Sequence, residues 1–342
     1  MAEVAIRRQG RAGRITLNRP GALNALSHAM CLTIEAALDS WRDDDAVELV
    51  IIDAEGDRAF CAGGDIAALY HHAVMGRFEP ARRYWRDEYR MNLKLRRYPK
   101  PVVSLMQGFV MGGGVGLGCH VSHRIVGESS QVAMPECGIG LVPDVGGTRL
   151  LARAPGRLGL YLGLTGARMG AGDAILAGFA DHHVPEAEWP DLILALAETG
   201  DPAAIPIHPP PSGRLAGLLP ELISLFSSFD VAQIIEAAAS RDSRFAAEVH
   251  ATLSRNSPLS MACTAEMLQR LGPAPGMAEA LRQEYRFTWR AQTLSDFTEG
   301  TRAVVIDKDR TPRWRHASAA DVPRAEVETM LAPLGAEEWQ ED

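Results

Sequence analysis

The sequence predicts an α/β fold, and three observations carry that expectation. Apolar strand-like runs alternate with segments of helical periodicity through the first part of the chain. Two glycine-rich stretches, Ala59-Phe60-Cys61-Ala62-Gly63-Gly64-Asp65 and Met111-Gly112-Gly113-Gly114-Val115-Gly116-Leu117-Gly118, stand where a strand ends and a helix should begin. Beyond the proline cluster Ile205-Pro206-Ile207-His208-Pro209-Pro210-Pro211-Ser212-Gly213, strand signals give way to helical patterns.

Taken in order, residues 4–6 and 14–17 read as a short hairpin around the turn between Gly10 and Gly13. Residues 24–43 have helical periodicity and are rich in Ala and Leu. Glu48-Leu49-Val50-Ile51-Ile52-Asp53 is a strand that ends at the Glu55-Gly56 turn. Residues 66–97 form a helical region broken near Gly76 and Pro80. One face of it is charged, and Glu88 belongs to that solvated face by default. Residues 101–105 are a buried strand, 113–119 open a helix, and 124–126 are another strand. Residues 156–164 and 172–177 read as helices, with Gly178 as a C-terminal cap. The patterns over 215–271 and 277–292 are helical. The expected organisation is a core over residues 1–200, a proline-rich linker over 201–213, and a mainly helical region over 214–342.

Composition bounds the function. The chain has 342 residues, 46% of them hydrophobic, enough for a large buried core. Its net charge of −8 argues against a nucleic-acid partner. Five cysteines form no C-x-x-C pair and read as reduced thiols of a cytoplasmic protein. Cys61 lies inside the first glycine stretch and reads as a small packing residue. Residues 101–118 lack charge, but their glycines, Pro101, Ser104 and Gln107 argue against a membrane span. The histidines show no metal-ligand spacing, so no metal is expected.

Glycine at a strand-to-helix junction lets backbone N–H groups approach a ligand closely. Two such junctions aimed at one point would hold an oxyanion, the species formed when an acyl group is attacked. A dinucleotide site begins in a similar way. Here, however, Gly114-Val115-Gly116 is followed by Leu117-Gly118-Cys119, so G-x-G-x-x-G is not completed. The second candidate is Ala133-Met134-Pro135-Glu136-Cys137-Gly138-Ile139-Gly140-Leu141-Val142-Pro143-Asp144-Val145-Gly146-Gly147. Its two carboxylates sit among apolar neighbours, where desolvation would raise their pKa into the range of a general acid or base. Asp144 has a second reading, as a cap for the turn at Val145-Gly146-Gly147.

These motifs, with Asn18-Arg19-Pro20 and Leu23-Asn24-Ala25-Leu26, resemble the crotonase (enoyl-CoA hydratase/isomerase) superfamily from about residue 4 to 190. The resemblance is closer to the 3-hydroxyisobutyryl-CoA hydrolases. It rests on the 134–147 stretch, on Arg86-Asp87-Glu88-Tyr89-Arg90-Met91-Asn92, on Ser257-Pro258 and Arg282-Gln283-Glu284-Tyr285-Arg286, and on the tail from Asp296 to Trp314.

The resemblance implies a spiral of ββα units forming two roughly perpendicular sheets, with a CoA thioester carbonyl between the N–H groups of Gly64 and Gly113. It implies that Glu136 delivers the attack, that Asp144 binds the 3-hydroxyl or moves protons, and that Glu88 binds the acyl hydroxyl. The implied reaction is hydrolysis of a short 3-hydroxyacyl-CoA, above all 3-hydroxyisobutyryl-CoA, in valine catabolism. CoA is then part of the substrate, and no separate cofactor is expected. A hydratase or isomerase, or a non-catalytic acyl-CoA binder, are the alternatives. Monomer, trimer and hexamer are all open.

Two departures from the family bear on this. Hydratases carry a glutamate where this chain has Gly116, and many relatives carry a lysine where it has Gly21. Arg19 or Lys308 would then substitute in holding CoA phosphates.

Overall fold

The computed structural model describes residues 2–341. They fall into two compact units that interleave along the chain. One comprises residues up to Gly64, Asp87–Ala133 and Arg168–Ala216. The other comprises Asp65–Arg86, Met134–Ala167 and residues from Gly217 onward.

Among the described residues, all nine strands lie in the first unit. β1 (Val4–Gln9) and β2 (Ala12–Leu17) form the expected hairpin. The others are β3 (Leu49–Ala54), β4 (Ala59–Cys61), β5 (Val102–Met106), β6 (Phe109–Met111), β7 (His123–Val126), β8 (Gln131–Ala133) and β9 (His182–His183). A six-stranded sheet has the order β1-β2-β3-β5-β7-β9 and is parallel beyond the hairpin. Parallel strands are usually covered on both faces. Here Leu49, Ile51, Val103, Leu105 and Ile125 pack with Trp189, Leu192 and Leu196 of the helix Trp189–Thr199. Val50 and Ile52 alternate to the other face and are fully buried as well. The helix His28–Arg42 starts at Ser27, whose hydroxyl accepts the Met30 N–H at 3.2 Å. Helical periodicity therefore overran its true start by four residues, because Asn24 is held in a left-handed turn (φ 53°).

The smaller sheet, with the parallel order β4-β6-β8, was not legible as strands. Each strand has three residues, too few to display a period. Parallel alignment brings their C-terminal ends to one edge. The two glycine stretches leave from β4 and β6 there, and Met134-Pro135-Glu136 follows β8 in sequence.

The second unit is helical. The expected break separates helices Ile66–Val74 and Glu79–Arg96, and the latter runs on into the first unit from Asp87. Pro80 does not interrupt this helix. It lies in the first turn, where a missing N–H costs nothing. Helix Pro258–Leu271 is largely buried, with Leu259, Met261, Cys263, Ala265 and Met267 almost fully enclosed. Tyr161 packs edge-on against Phe226, with ring centres 5.6 Å apart, and against Phe245 at 5.4 Å. Residues 206–213 have no regular structure.

Candidate active site

In the first unit, Asn24 positions the first glycine stretch. Its side chain is fully buried and donates to the carbonyls of Glu55 (3.0 Å) and Ala59 (2.9 Å), and it accepts the Arg19 N–H at 2.8 Å. The following loop is strapped to the stretch itself. Ala62 N–H donates to Leu23 O at 3.0 Å, and Leu26 N–H donates to Gly63 O at 2.8 Å. The segment 23–26 is therefore a brace under Gly63-Gly64.

Two glycine pairs then repeat one device. Gly63 (φ 115°) precedes Gly64, and Gly112 (φ 48°) precedes Gly113. Only glycine enters these conformations without strain, and each turns the peptide N–H of the next residue away from the ordinary strand or helix direction. Gly113 is also the first residue of helix Gly113–Gly118, so its N–H has no intrahelical acceptor. Among the described residues neither N–H donates to a backbone carbonyl.

The two donors are brought together. A β-carbon on Gly113 would lie 3.3 Å from Gly64 N and 2.7 Å from Glu88 Oε1. Gly114 and Gly118 serve packing instead, since β-carbons there would meet Cys61 O at 2.2 Å and Met106 Sδ at 2.5 Å. Gly116 lies buried in the same helix.

Glu88 does not belong to a solvated face. It is 2% exposed, and its helix neighbours Tyr84, Trp85, Tyr89 and Met91 are buried as well. Periodicity pointed the wrong way because the flanking charges are consumed in ion pairs. Asp87 meets His28 at 2.6 Å and Arg90 at 2.7 Å. Arg90 also holds both oxygens of Glu35, at 2.8 and 2.7 Å. These bonds lock the helix carrying Glu88 to helix His28–Arg42.

Cys61 stands next to this group and is inert. Burial pushes its thiol up to about 12, and its S–H donates to Gly63 O at 3.5 Å. The packing reading holds for it. Arg19 is engaged by Glu3 at 3.1 Å and by Ala25 O at 2.7 Å.

The second unit holds the other two carboxylates. Glu136 opens the short 3-10 turn Glu136–Ile139 and is 5% exposed, while Asp144 is 4% exposed. The tail residues named above hold this loop. Ser257 N–H donates to Cys137 O at 2.9 Å, and its hydroxyl donates to Asp296 Oδ2 at 2.6 Å. Gly140 lies so close to Asp296 that a β-carbon would meet its carbonyl carbon at 2.3 Å. Asn256 Nδ2 donates to Leu164 O at 2.8 Å.

The turn after Asp144 has a cap that sequence reasoning did not identify. Glu284 accepts the Gly146 N–H at 2.7 Å, the Thr148 N–H at 3.0 Å and the Thr148 hydroxyl. Glu284, fully buried in helix Met277–Leu294, therefore caps this turn from outside it. Burial pushes the Glu284 carboxyl up to about 8. The Thr148 and Gly146 bonds oppose that shift, and the charge of Asp144 adds to it. No sequence signal marks a cap supplied from so far along the chain.

Lys308 is exposed and adopts a left-handed conformation (φ 59°). Among the described residues no group of His, Cys, Asp and Glu side chains has metal-site geometry, and no helix is long and apolar enough to cross a membrane.

The family model for enoyl-CoA hydratase/isomerase matches residues 12–331. The mitochondrial 3-hydroxyisobutyryl-CoA hydrolase of Mus musculus is 39% identical, covering 98% of this chain and 90% of the relative. The Homo sapiens protein of the same name is 37% identical, covering 97% and 89%. A crystal structure of an enoyl-CoA hydratase from Rhodobacter sphaeroides 2.4.1 superposes with a TM-score of 0.97 at 60% identity, covering 99% of this chain and 100% of that one. A carnitinyl-CoA dehydratase structure from Mycobacterium thermoresistibile gives 0.96 at 41% identity, covering 100% and 99%.

Proposed function

The chain belongs to the enoyl-CoA hydratase/isomerase family, and from that premise we propose that it hydrolyses a short 3-hydroxyacyl-CoA thioester, 3-hydroxyisobutyryl-CoA, to the free hydroxy acid and CoA. The observation that carries the reading is the pairing of the Gly64 and Gly113 N–H groups beside the buried carboxylate of Glu88. An acyl carbonyl placed against both donors is polarised for attack and gains most as its oxygen becomes negative. One such donor is worth about 2.7–4 kcal/mol in the transition state.

Glu88 has the chemistry to accept a hydrogen bond from the substrate's 3-hydroxyl. A plain acyl-CoA forgoes that bond and gains less in the site. Glu136 supplies the attack by one of two routes. Its carboxylate adds to the thioester carbon, the C–S bond breaks, and CoA leaves as the thiol after taking up a proton; water then cleaves the mixed anhydride. Alternatively, Glu136 takes the proton of a water that adds to the same carbon. Asp144 is assigned to the 3-hydroxyl or to proton transfer on the sulfur side.

The names enoyl-CoA hydratase and carnitinyl-CoA dehydratase, carried by the two solved structures compared above, favour a second reading on the same scaffold. Gly116 weighs against it. Adding water across a double bond uses two carboxylates, and the position after the glycine triplet has no ionisable group. Incubation with 3-hydroxyisobutyryl-CoA and crotonyl-CoA separates the readings. Thiol release from the first substrate alone supports hydrolysis. Loss of the enoyl chromophore without thiol release supports hydration, and tight binding with neither signal supports a binder. Glu136→Gln should abolish thiol release while leaving the melting temperature within a few degrees; near-normal turnover would remove Glu136 from its role.

A further inference from the structure

We propose that Glu284 is a positioning residue for Asp144, holding the turn from which that carboxylate projects; this rests on the hydrolase reading above. The turn is conformationally costly. Val145 is β-branched yet has φ 55°, and Gly146 follows at φ 80°. A β-branched residue in the left-handed region is strained and persists only where its surroundings over-determine it. Within the turn, the Gly147 N–H donates to Asp144 O at 2.7 Å. A further constraint comes from Glu284, reaching across from helix Met277–Leu294. One of its oxygens takes the Gly146 N–H, and the other takes both the N–H and the hydroxyl of Thr148. Three donors on a fully buried carboxylate fix residues 146 and 148 on either side of Gly147. Losing the clamp removes three of the bonds that hold the turn, so the balance shifts toward Val145 relaxing to negative φ. The peptide joining it to Asp144 then rotates, and the Asp144 carboxylate leaves its place.

A glutamine at 284 cannot reproduce the clamp. The carboxylate serves N–H donors with both oxygens, whereas an amide must turn its NH2 group toward one of them. Glu284→Gln should therefore lower kcat for thiol release by about 10- to 100-fold, the range expected for leaving a buried donor unsatisfied. KM should change by less than about threefold, since the Gly64 and Gly113 donors are untouched.

The deciding measurement is a double-mutant cycle with Asp144→Asn, alongside thermal melts of every variant. If Glu284 acts through Asp144, the double variant is within about twofold of Asp144→Asn alone. Multiplicative losses, or a fall confined to melting temperature with kcat unchanged, overturn the proposal. Should Glu284→Gln fail to fold, Thr148→Val removes only the hydroxyl donor. It should lower kcat about two- to tenfold and be silent in the Asp144→Asn background, and loss in both backgrounds overturns the proposal. Absence of thiol release by the unaltered protein is a different result. It refutes the hydrolase reading, and the role of Glu284 falls with it.

Discussion

Oε1 of Glu88 lies 2.7 Å from the point where a β-carbon on Gly113 would stand, and Gly64 N lies 3.3 Å from it. Gly113 is thus required by its neighbours and not by its own φ, which is unexceptional. Gly113→Ala inserts a methyl group between the two donors and the carboxylate. Thiol release should fall about 100- to 1,000-fold, the effect of losing one oxyanion donor. The melting temperature should change little, because Glu88 Oε1 is the end of a side chain and can yield. Retention of more than a tenth of the activity would mean that a carbonyl is not bound there.

Selectivity should depend on Glu88. In Glu88→Gln, kcat/KM for 3-hydroxyisobutyryl-CoA should fall toward that for isobutyryl-CoA, because the carboxylate acceptor for the hydroxyl is lost. Steady-state assays with both thioesters check this. An unchanged ratio would place the hydroxyl elsewhere.

Asn24 is a stability determinant with no part in the chemistry. Its buried side chain joins three backbone sites, and its φ of 53° is one that Asn tolerates better than Ala. Asn24→Ala should cost about 3 kcal/mol, read as a lower midpoint in urea unfolding. A loss below about 1 kcal/mol would show that water replaces these bonds.

Glu35 introduces a pH dependence. Burial raises its pKa, but the hydrogen bonds from Arg90 and Lys94 outweigh burial and hold it below the ordinary value. A lowered folded pKa stabilises the protein fully above the unfolded value of about 4.3, and that contribution is lost as pH falls through the folded one. Glu35→Gln should therefore be less stable than the unaltered protein at pH 7. The gap should close on acidification below about pH 4, as followed by urea unfolding. A gap independent of pH would assign the effect to packing.

All five cysteines are buried and unbridged, and burial raises the thiols of Cys61, Cys119 and Cys137 to about 12. At pH 8 they stay protonated, below the pH at which thiolate forms. A chromogenic disulfide should therefore titrate none in the native protein and five after denaturation. Rapid reaction of one thiol in the native state would contradict this burial.

The residues proposed for the chemistry stand out in the chain alone. Gly63-Gly64, Gly112-Gly113, Glu136 and Asp144 stand out because glycine clusters, and carboxylates among apolar neighbours, are rare combinations within a few positions. The long strands and helices were legible for the same reason, since hydrophobic periodicity is a local property. Tertiary structure decided the rest. The three-residue strands β4, β6 and β8 exist because their neighbours supply hydrogen-bond partners that no local pattern encodes. Glu88 became a buried carboxylate because Arg90 and Asp87 found ion-pair partners on helix His28–Arg42, which turned a charged face inward. Glu284 became the cap of a turn 138 residues earlier in the chain. A side chain's environment is set by whatever the fold places beside it, and contacts between residues so far apart in sequence leave no local trace.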